Sequence, residues 1–267
     1  MVTDLDLVGI ARAAATAAAS YIRSTTRPAD PSAWTVKGRH DYVSEVDRGA
    51  ETLIRTMLGQ SAPGTHIVGE ELGSELMLDG LAWIVDPIDG TTNFLHGYPA
   101  YSVSIAAAID GVLEAGVVVH VPDGRVFHAV RSQGAFCNGG PIHVSTITDP
   151  GHALIGTGYP FKDLSGMDQY VAQFRCVAAT TAGIRRAGSA ALDLCSVACG
   201  EFDAFWELSL SAWDVAAGTL LVREAGGAVT DTAGRDIGIQ HGPVVAGNAV
   251  MHGWLLEVVG RRSTVDR

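Results

Sequence analysis

The chain has 267 residues, 47% of them apolar and 18% charged. That excludes a disordered polymer and leaves room for a sizeable core in one compact unit or two tightly packed halves. Its 18 Lys and Arg against 29 Asp and Glu leave a formal net charge of -11, which argues against nucleic acid, since phosphate backbones are held by a cationic surplus.

Residues 5–24, LDLVGIARAAATAAASYIRS, put Leu5, Val8, Ala15, Ala19 and Ile22 at the spacing of an amphipathic helix. The Pro-containing RPADPSAW ends it. VSEVDRGAETLIRTMLG predicts a second helix, with Val46, Leu53, Ile54, Met57 and Leu58 as its apolar positions. THIVGEE and LAWIVDPIDG are short apolar runs that stop at carboxylates, as strands emptying into a site do. From 101 to 144 the pattern becomes strand-like, and Asp-Gly dipeptides at 110–111 and 123–124 signal hairpins.

After TITDPGHA, apolar runs alternate with helical patterns: ALIGTGYPF, a helix near MDQYVAQFRCVAAT, then SAALDLCSVACGEFDAFWEL. WDVAAGTLLVREAGG predicts a further helix, with Asp214 near its start and Gly226–Gly227 at its end. This order points to a mixed α/β (α+β) protein of layered sheets and helices. An N-terminal α+β half, 1–145, would carry the acidic motifs, and a C-terminal α/β half, 146–267, would complete the site.

Cys137, Cys176, Cys195 and Cys199 form no CxxC pair and are expected to be buried, reduced thiols. The first residues carry Asp4 and Asp6 rather than a signal peptide, and no run approaches the ~18 apolar residues of a membrane helix. A cytoplasmic protein without a membrane partner is the expectation.

Glu70 with Glu71, Asp86, Asp89 and Asp214 all follow apolar runs, and Asp47 lies early in the second helix. If the strands lie side by side, these oxygens converge, and their uncompensated charge would be costly. A hard cation such as Mg²⁺ removes that difficulty and would also attract an anionic substrate. Pro87 biases Asp86 toward an extended conformation, and the Ile88 carbonyl offers a further hard ligand. Gly90 permits unusual backbone angles, and a helix starting at Thr91 would leave the N–H groups of Gly90, Thr91 and Thr92 as an anion site. Metal ligands beside a phosphate-sized nest are the layout of metal-assisted phosphoryl chemistry. The plain alternative, a strand ending in an Asp-Gly turn with solvated acids, leaves the repeated strand-then-acid pattern unexplained.

DPIDGTTNF at 86–94, GEE at 69–71 and WDVAAG at 213–218 resemble the inositol monophosphatase family of Mg²⁺-dependent sugar-phosphate phosphatases. The likeness runs from KGRHDYVSEVD at 37–47 to EAGG at 224–227. It implies a layered αβαβα sandwich, a homodimer, lithium sensitivity and two or three Mg²⁺ ions in the site. Glu70, Asp86 and the Ile88 carbonyl would form a first metal site, and Asp86, Asp89 and Asp214 a second. Glu70 would also support a third ion through water. In the catalytic set of Glu70, Thr91 and Asp47, Thr91 would orient the attacking water and Asp47 would accept the Thr91 hydroxyl proton.

The same resemblance implies that Gly188, Ser189 and Ala190 approach the sugar-like half of the substrate by backbone, with Asp214 nearby. Glu207 would hydrogen-bond inositol hydroxyls, and TGYPF at 157–161 would form a wall. Lys37 and Glu71 are expected in ion pairs near the site, Arg185 and Arg186 as solvated or interface groups, and His96 not as a ligand. The implied reaction is hydrolysis of a small phosphate monoester, inositol 1-phosphate first. Histidinol phosphate, fructose 1,6-bisphosphate and 3′-phosphoadenosine 5′-phosphate are alternatives on the same core. A non-catalytic, metal-stabilised regulatory binding protein is the alternative from another class.

Overall fold

The computed structural model describes residues 5–260 apart from 29, 32–33, 39–40, 74 and 76, with backbone alone at 36–38 and 41–43. Helix α1 (Leu7–Ser24) is capped by Asp6, which accepts the Gly9 N–H at 2.9 Å. Its inward stripe is Ala11, Ala14, Ala15, Ala18, Ala19 and Ile22, small side chains at helical spacing that allow a close approach to the sheet. Leu5 precedes the helix and is exposed. A short antiparallel pair, β1 (Thr35–Gly38) and β2 (Asp41–Val43), leads into α2 (Glu45–Ser61). Ser44 and Asp47 close a capping box at its start, satisfying N–H groups that a helix end leaves open.

Next come β3 (His66–Gly69), β4 (Leu81–Asp89), the short helix α3 (Thr91–His96), β5 (Ser102–Ile109) and β6 (Val112–His120). β7 (Val126–Val130), β8 (Ala135–Cys137) and β9 (Gly140–Ile142) complete a seven-stranded sheet ordered β3-β4-β5-β6-β7-β8-β9. β3 and β4 pair in parallel and the later neighbours antiparallel. The predicted turn at 110–111 joins β5 to β6, with Asp110 at φ 49° and Gly111 at φ 78°. Positive φ at both central residues matches the strand twist, which is why Asp-Gly is favoured there.

The chain then builds β10 (Leu154–Thr157), α4 (Met167–Ala178), β11 (Gly183–Arg185), α5 (Ala190–Ala198) and β12 (Ala204–Leu210). It ends with α6 (Ala212–Glu224), β13 (Ala228–Thr230), β14 (Gly242–Gly247) and α7 (Ala249–Gly260). These strands form a five-stranded sheet ordered β11-β10-β12-β14-β13. The apolar stretch SAALDLCSVACGEFDAFWEL thus divides into a helix and a strand.

Three cores hold five layers together, the second of them enclosing the middle helix layer. The first joins α1 and α2 to one face of the large sheet, through Trp83, Val85, Ile105 and Val117. The second fills the space between the sheets, where Ile84, Ala106 and Val118 meet α5, α6 and Phe205. The third lies under α4 and α7, around Trp206, Val245 and Leu255. Neighbouring residues of a strand therefore serve different cores: Trp83 and Ile84, or Phe205 and Trp206. A sheet covered on both faces reads as a continuous apolar run, as β4 does. The result is the layered αβαβα sandwich.

The cysteines correct one expectation. Cys195 is buried in α5, but Cys137 and Cys199 are half-buried and Cys176 is exposed. Cys176 lies on α4, an outer-layer helix with only one face against the sheet. Among the described residues, no helix is long and apolar enough to cross a membrane.

Candidate metal centre

Strand β4 carries Asp86 and Asp89, three positions apart, which a regular strand would point to opposite faces. The ladder with β5 shifts register between them, where Pro87 and Ile88 interrupt the pairing. This irregularity re-aims one carboxylate, and Pro is tolerated there because it has no N–H to give the ladder. The Ile88 N–H turns back to Asp86 Oδ1 at 3.0 Å. Parallel pairing sets Gly69 opposite Val85, so Glu70 emerges beside Asp86.

Asp214 arrives from the other end of the chain, in the first turn of α6. Its Oδ2 accepts the Ser211 N–H at 2.7 Å, a cap that fixes the side chain. The Ser104 hydroxyl donates to the Trp213 carbonyl at 3.4 Å, linking this helix start to β5, where Ser104 pairs with Asp86. Asp86, Asp89 and Asp214 each offer an oxygen, and the three atoms lie within 4.8 Å of one another. Such a set could hold a metal ion: the donors are hard carboxylate oxygens, the kind that suit Mg²⁺ or Ca²⁺.

The electrostatics record the strain of this gathering. Burial first, then the charges of Glu70, Asp89, Asp214 and Asp47, push the Asp86 carboxyl well above the usual carboxylate range. Burial raises Asp89 to about 6, although the Ser189 hydroxyl and the Ala191 N–H donate to its Oδ2 at 2.6 and 2.8 Å. Burial, then Glu70 and Asp89, raise Asp214 to about 8. These groups resist sharing negative charge unless a cation joins them.

Around the cluster opens a cleft of about 660 Å³ that Glu70, Asp86, Ile88, Asp89 and Asp214 all line. Gly90 caps α3 at φ 93°, and a Cβ there would come within 2.9 Å of the Ala100 carbonyl, so the motif's glycine is required twice over. Helix α3 does start at Thr91, and Gly90, Thr91 and Thr92 line the cleft. The Thr91 hydroxyl lies 2.9 Å from Asp47 Oδ1 and 3.0 Å from the Ile88 carbonyl. Asp47 is fully buried. Burial raises its pKa, opposed by hydrogen bonds from Ser44 and Thr91. Three helix starts, at Gly90–Thr91, Ser189–Ala190 and Ser211, face this cleft, and helix starts favour anions.

The residues expected to meet the rest of a substrate also border the cleft. Gly188, Ser189, Ala190 and Glu207 line it, and the Ser189 side chain is committed to Asp89 and to capping α5, which leaves its backbone for the cleft. Tyr159 and Phe161 of the predicted wall are there, with the Arg186 guanidinium stacked 4.7 Å above Tyr159. Arg186 therefore borders the cleft, whereas Arg185 donates to the Ile184 carbonyl outside it. His96 lies on the rim with its ring edge-on to Trp34. The side chain of Lys37 falls outside the described residues.

Several supporting residues escaped the sequence reading. Glu51, fully buried on α2, accepts the Glu71 N–H at 2.7 Å and Arg55 Nε at 2.7 Å, and so holds the Glu70–Glu71 loop. Its signal was available: residues 47, 51, 54 and 58 share one helical face, and an acid stands inside that apolar stripe. Asn93 Nδ2 donates to the carbonyls of Ala100 and Ala187 at 2.6 and 2.9 Å, clamping the 187–188 loop onto α3. Lys162 reaches to 4.0 Å from Glu70. Neither Asn93 nor Lys162 had a spacing that pointed here.

An αβαβα sandwich whose layers meet at a buried cluster of acids defines the class to which this protein is to be compared. A profile described as the inositol monophosphatase family matches residues 4–263. The Nus factor SuhB of Pseudomonas aeruginosa is 44% identical over 250 residues, 91% of each chain. Inositol-1-monophosphatase of Rhizobium meliloti is 44% identical over 229 residues, 85% of this chain and 86% of that one. The crystal structure of the extragenic suppressor protein suhB from Bartonella henselae, native, superposes with a TM-score of 0.88 at 39% identity, covering 96% of this chain and 98% of that one. The chain belongs to the inositol monophosphatase family.

Proposed function

We propose that this protein is a Mg²⁺-dependent phosphatase of small phosphate monoesters, with inositol 1-phosphate as the first substrate to test. The observation that carries the reading is the convergence of Asp86, Asp89 and Asp214 within 4.8 Å at the floor of a cleft. Asp86, Asp89 and Asp214 are assigned to one ion, Glu70, Asp86 and the Ile88 carbonyl to another, and Glu70 to the support of a third. Bound Mg²⁺ would supply Lewis-acid polarisation of the phosphate and activation of water.

The chain's own groups do the rest. Thr91, its hydroxyl hydrogen directed to Asp47 or the Ile88 carbonyl, keeps its lone pairs free to accept a hydrogen from the attacking water and so fixes its direction. Glu70 borders the same position. The N–H groups of Gly90, Thr91 and Thr92 hold phosphate oxygens while charge redistributes. The Gly188 and Ala190 backbone and the Glu207 carboxylate meet the alcohol half. Glu207 is 8% exposed and suits hydroxyl donors rather than an apolar group. Lithium sensitivity, a homodimer and a cytoplasmic location belong to the same reading.

Phosphate release from a panel of monoesters, with and without Mg²⁺, tests it. Inositol 1-phosphate, histidinol phosphate, fructose 1,6-bisphosphate and 3′-phosphoadenosine 5′-phosphate are the arms. The rival reading, a metal-stabilised regulatory binding protein without turnover, draws on the Nus factor name of the Pseudomonas aeruginosa relative. A metal-loaded protein that releases phosphate from none of the panel would favour it.

A further inference from the structure

Asp193 takes no part in the proposed chemistry, yet it lines the cleft and is only 2% exposed. It stands on the first turns of α5 among Ala190, Ala191, Leu194 and Val197, all buried. Among the described residues its carboxylate receives no hydrogen bond, and neither does that of Glu207. A buried acid without donors is costly to keep. Burial, then repulsion by Asp89, pushes the Asp193 carboxyl well above the usual carboxylate range; burial, then Asp214, Asp193 and Asp89, does the same to Glu207, and Arg186 opposes both shifts. Arg186 is itself fixed over the Tyr159 and Phe161 rings, at 4.7 and 5.8 Å. Two acceptors without donors thus line the cleft, with Arg186 and Lys162 beside the Phe161 ring on its border. Donor groups that enter there meet open lone pairs, whereas a second phosphate meets two carboxylates.

We propose that Asp193 is a specificity-determining residue, accepting a hydroxyl hydrogen of the substrate's alcohol half beside Glu207. The pocket takes phosphate esters of polyols and disfavours alcohol halves that carry a second phosphate. This rests on the phosphatase reading above and deepens it.

The experiment compares inositol 1-phosphate with p-nitrophenyl phosphate, whose leaving group has no spare hydroxyl, in wild type, Asp193→Ala and the near-isosteric Asp193→Asn. The expected result for Asp193→Ala is a fall of about tenfold in the ratio of the two kcat/KM values, taken up by KM for inositol 1-phosphate. Asp193→Asn, which keeps one acceptor, loses less and gains relative activity on fructose 1,6-bisphosphate. An unchanged ratio in both variants, or an equal loss on both esters, overturns the proposal while leaving the phosphatase reading intact. Wild type inactive on every ester removes that reading instead. Calorimetric titration with inositol 1-phosphate then decides alone: tighter binding by wild type than by Asp193→Asn supports the contact, and equal or absent binding overturns it.

Discussion

The hydroxyl of Thr91, first residue of α3, lies 2.9 Å from Asp47 Oδ1, on the first turn of α2 and 44 positions earlier in the chain. Asp47 is fixed in turn by the Ser44 N–H at 2.9 Å. The acceptor is therefore rigid, and the direction of the Thr91 hydroxyl follows from it. Thr91→Ala is expected to lower kcat about 100-fold and to leave Mg²⁺ affinity within about threefold. Steady-state kinetics with metal titration check this, and recovery of full activity at high Mg²⁺ would contradict water positioning.

Asp89 joins β4 to the start of α5, accepting from the Ser189 hydroxyl and the Ala191 N–H. In Asp89→Asn an amide replaces the carboxylate proposed as a ligand while its shape is kept, so the fold should survive. Mg²⁺-dependent turnover should fall by at least about 100-fold, with an unchanged circular dichroism spectrum. Full activity would remove Asp89 from the ligand set.

Metal-free protein should respond to pH in a defined direction. Asp89 and Asp214 are raised to about 6 and about 8, so across the range from about 4 to 8 the folded chain binds more protons than the unfolded chain. Stability contributed by the protonated groups is complete below pH ~4 and is lost as pH rises through 6 to 8. Melting temperature in chelator should therefore decline over that interval, and saturating Mg²⁺ should flatten the decline by replacing the protons. Mg²⁺ binding should release protons, measurable by calorimetry in buffers of different ionisation enthalpy. A chelated protein whose melting temperature rises from pH 6 to 8 would refute the linkage.

Glu51 links the buried face of α2 to the loop carrying Glu70. Glu51→Ala strands the Glu71 N–H and Arg55, a loss of about 2 kcal/mol with Arg55 partly solvated. Thermal melts read that loss. Because the loop loses its anchor, Mg²⁺ affinity should also weaken, by about tenfold. A stability loss with unchanged metal binding would make Glu51 a fold residue alone.

Much of this was legible in the residues. Alternating and helical apolar spacing, the Asp-Gly turn at 110–111 and the glycines after α6 are short-range signals, set by backbone geometry within a few positions. DPIDGT read as a strand ending in acids, and it does. The acid inside the apolar stripe of α2 was legible too. Asn93, Asp193 and Arg186 were not, because their importance comes from elements that touch only after the sheets are stacked. The thiols differed for the same reason, since burial at Cys176 depends on which face of α4 meets the sheet.

The sequence by itself determined which segments become strands and helices and which residue types could bind a cation. Only the tertiary structure decided that the acids share one place. A register shift turns Asp86 and Asp89 toward the same side, parallel pairing brings Glu70 alongside, and α6 delivers Asp214 from another layer. Spacing along the chain encodes local geometry, but distances between remote segments are set by packing three cores at once.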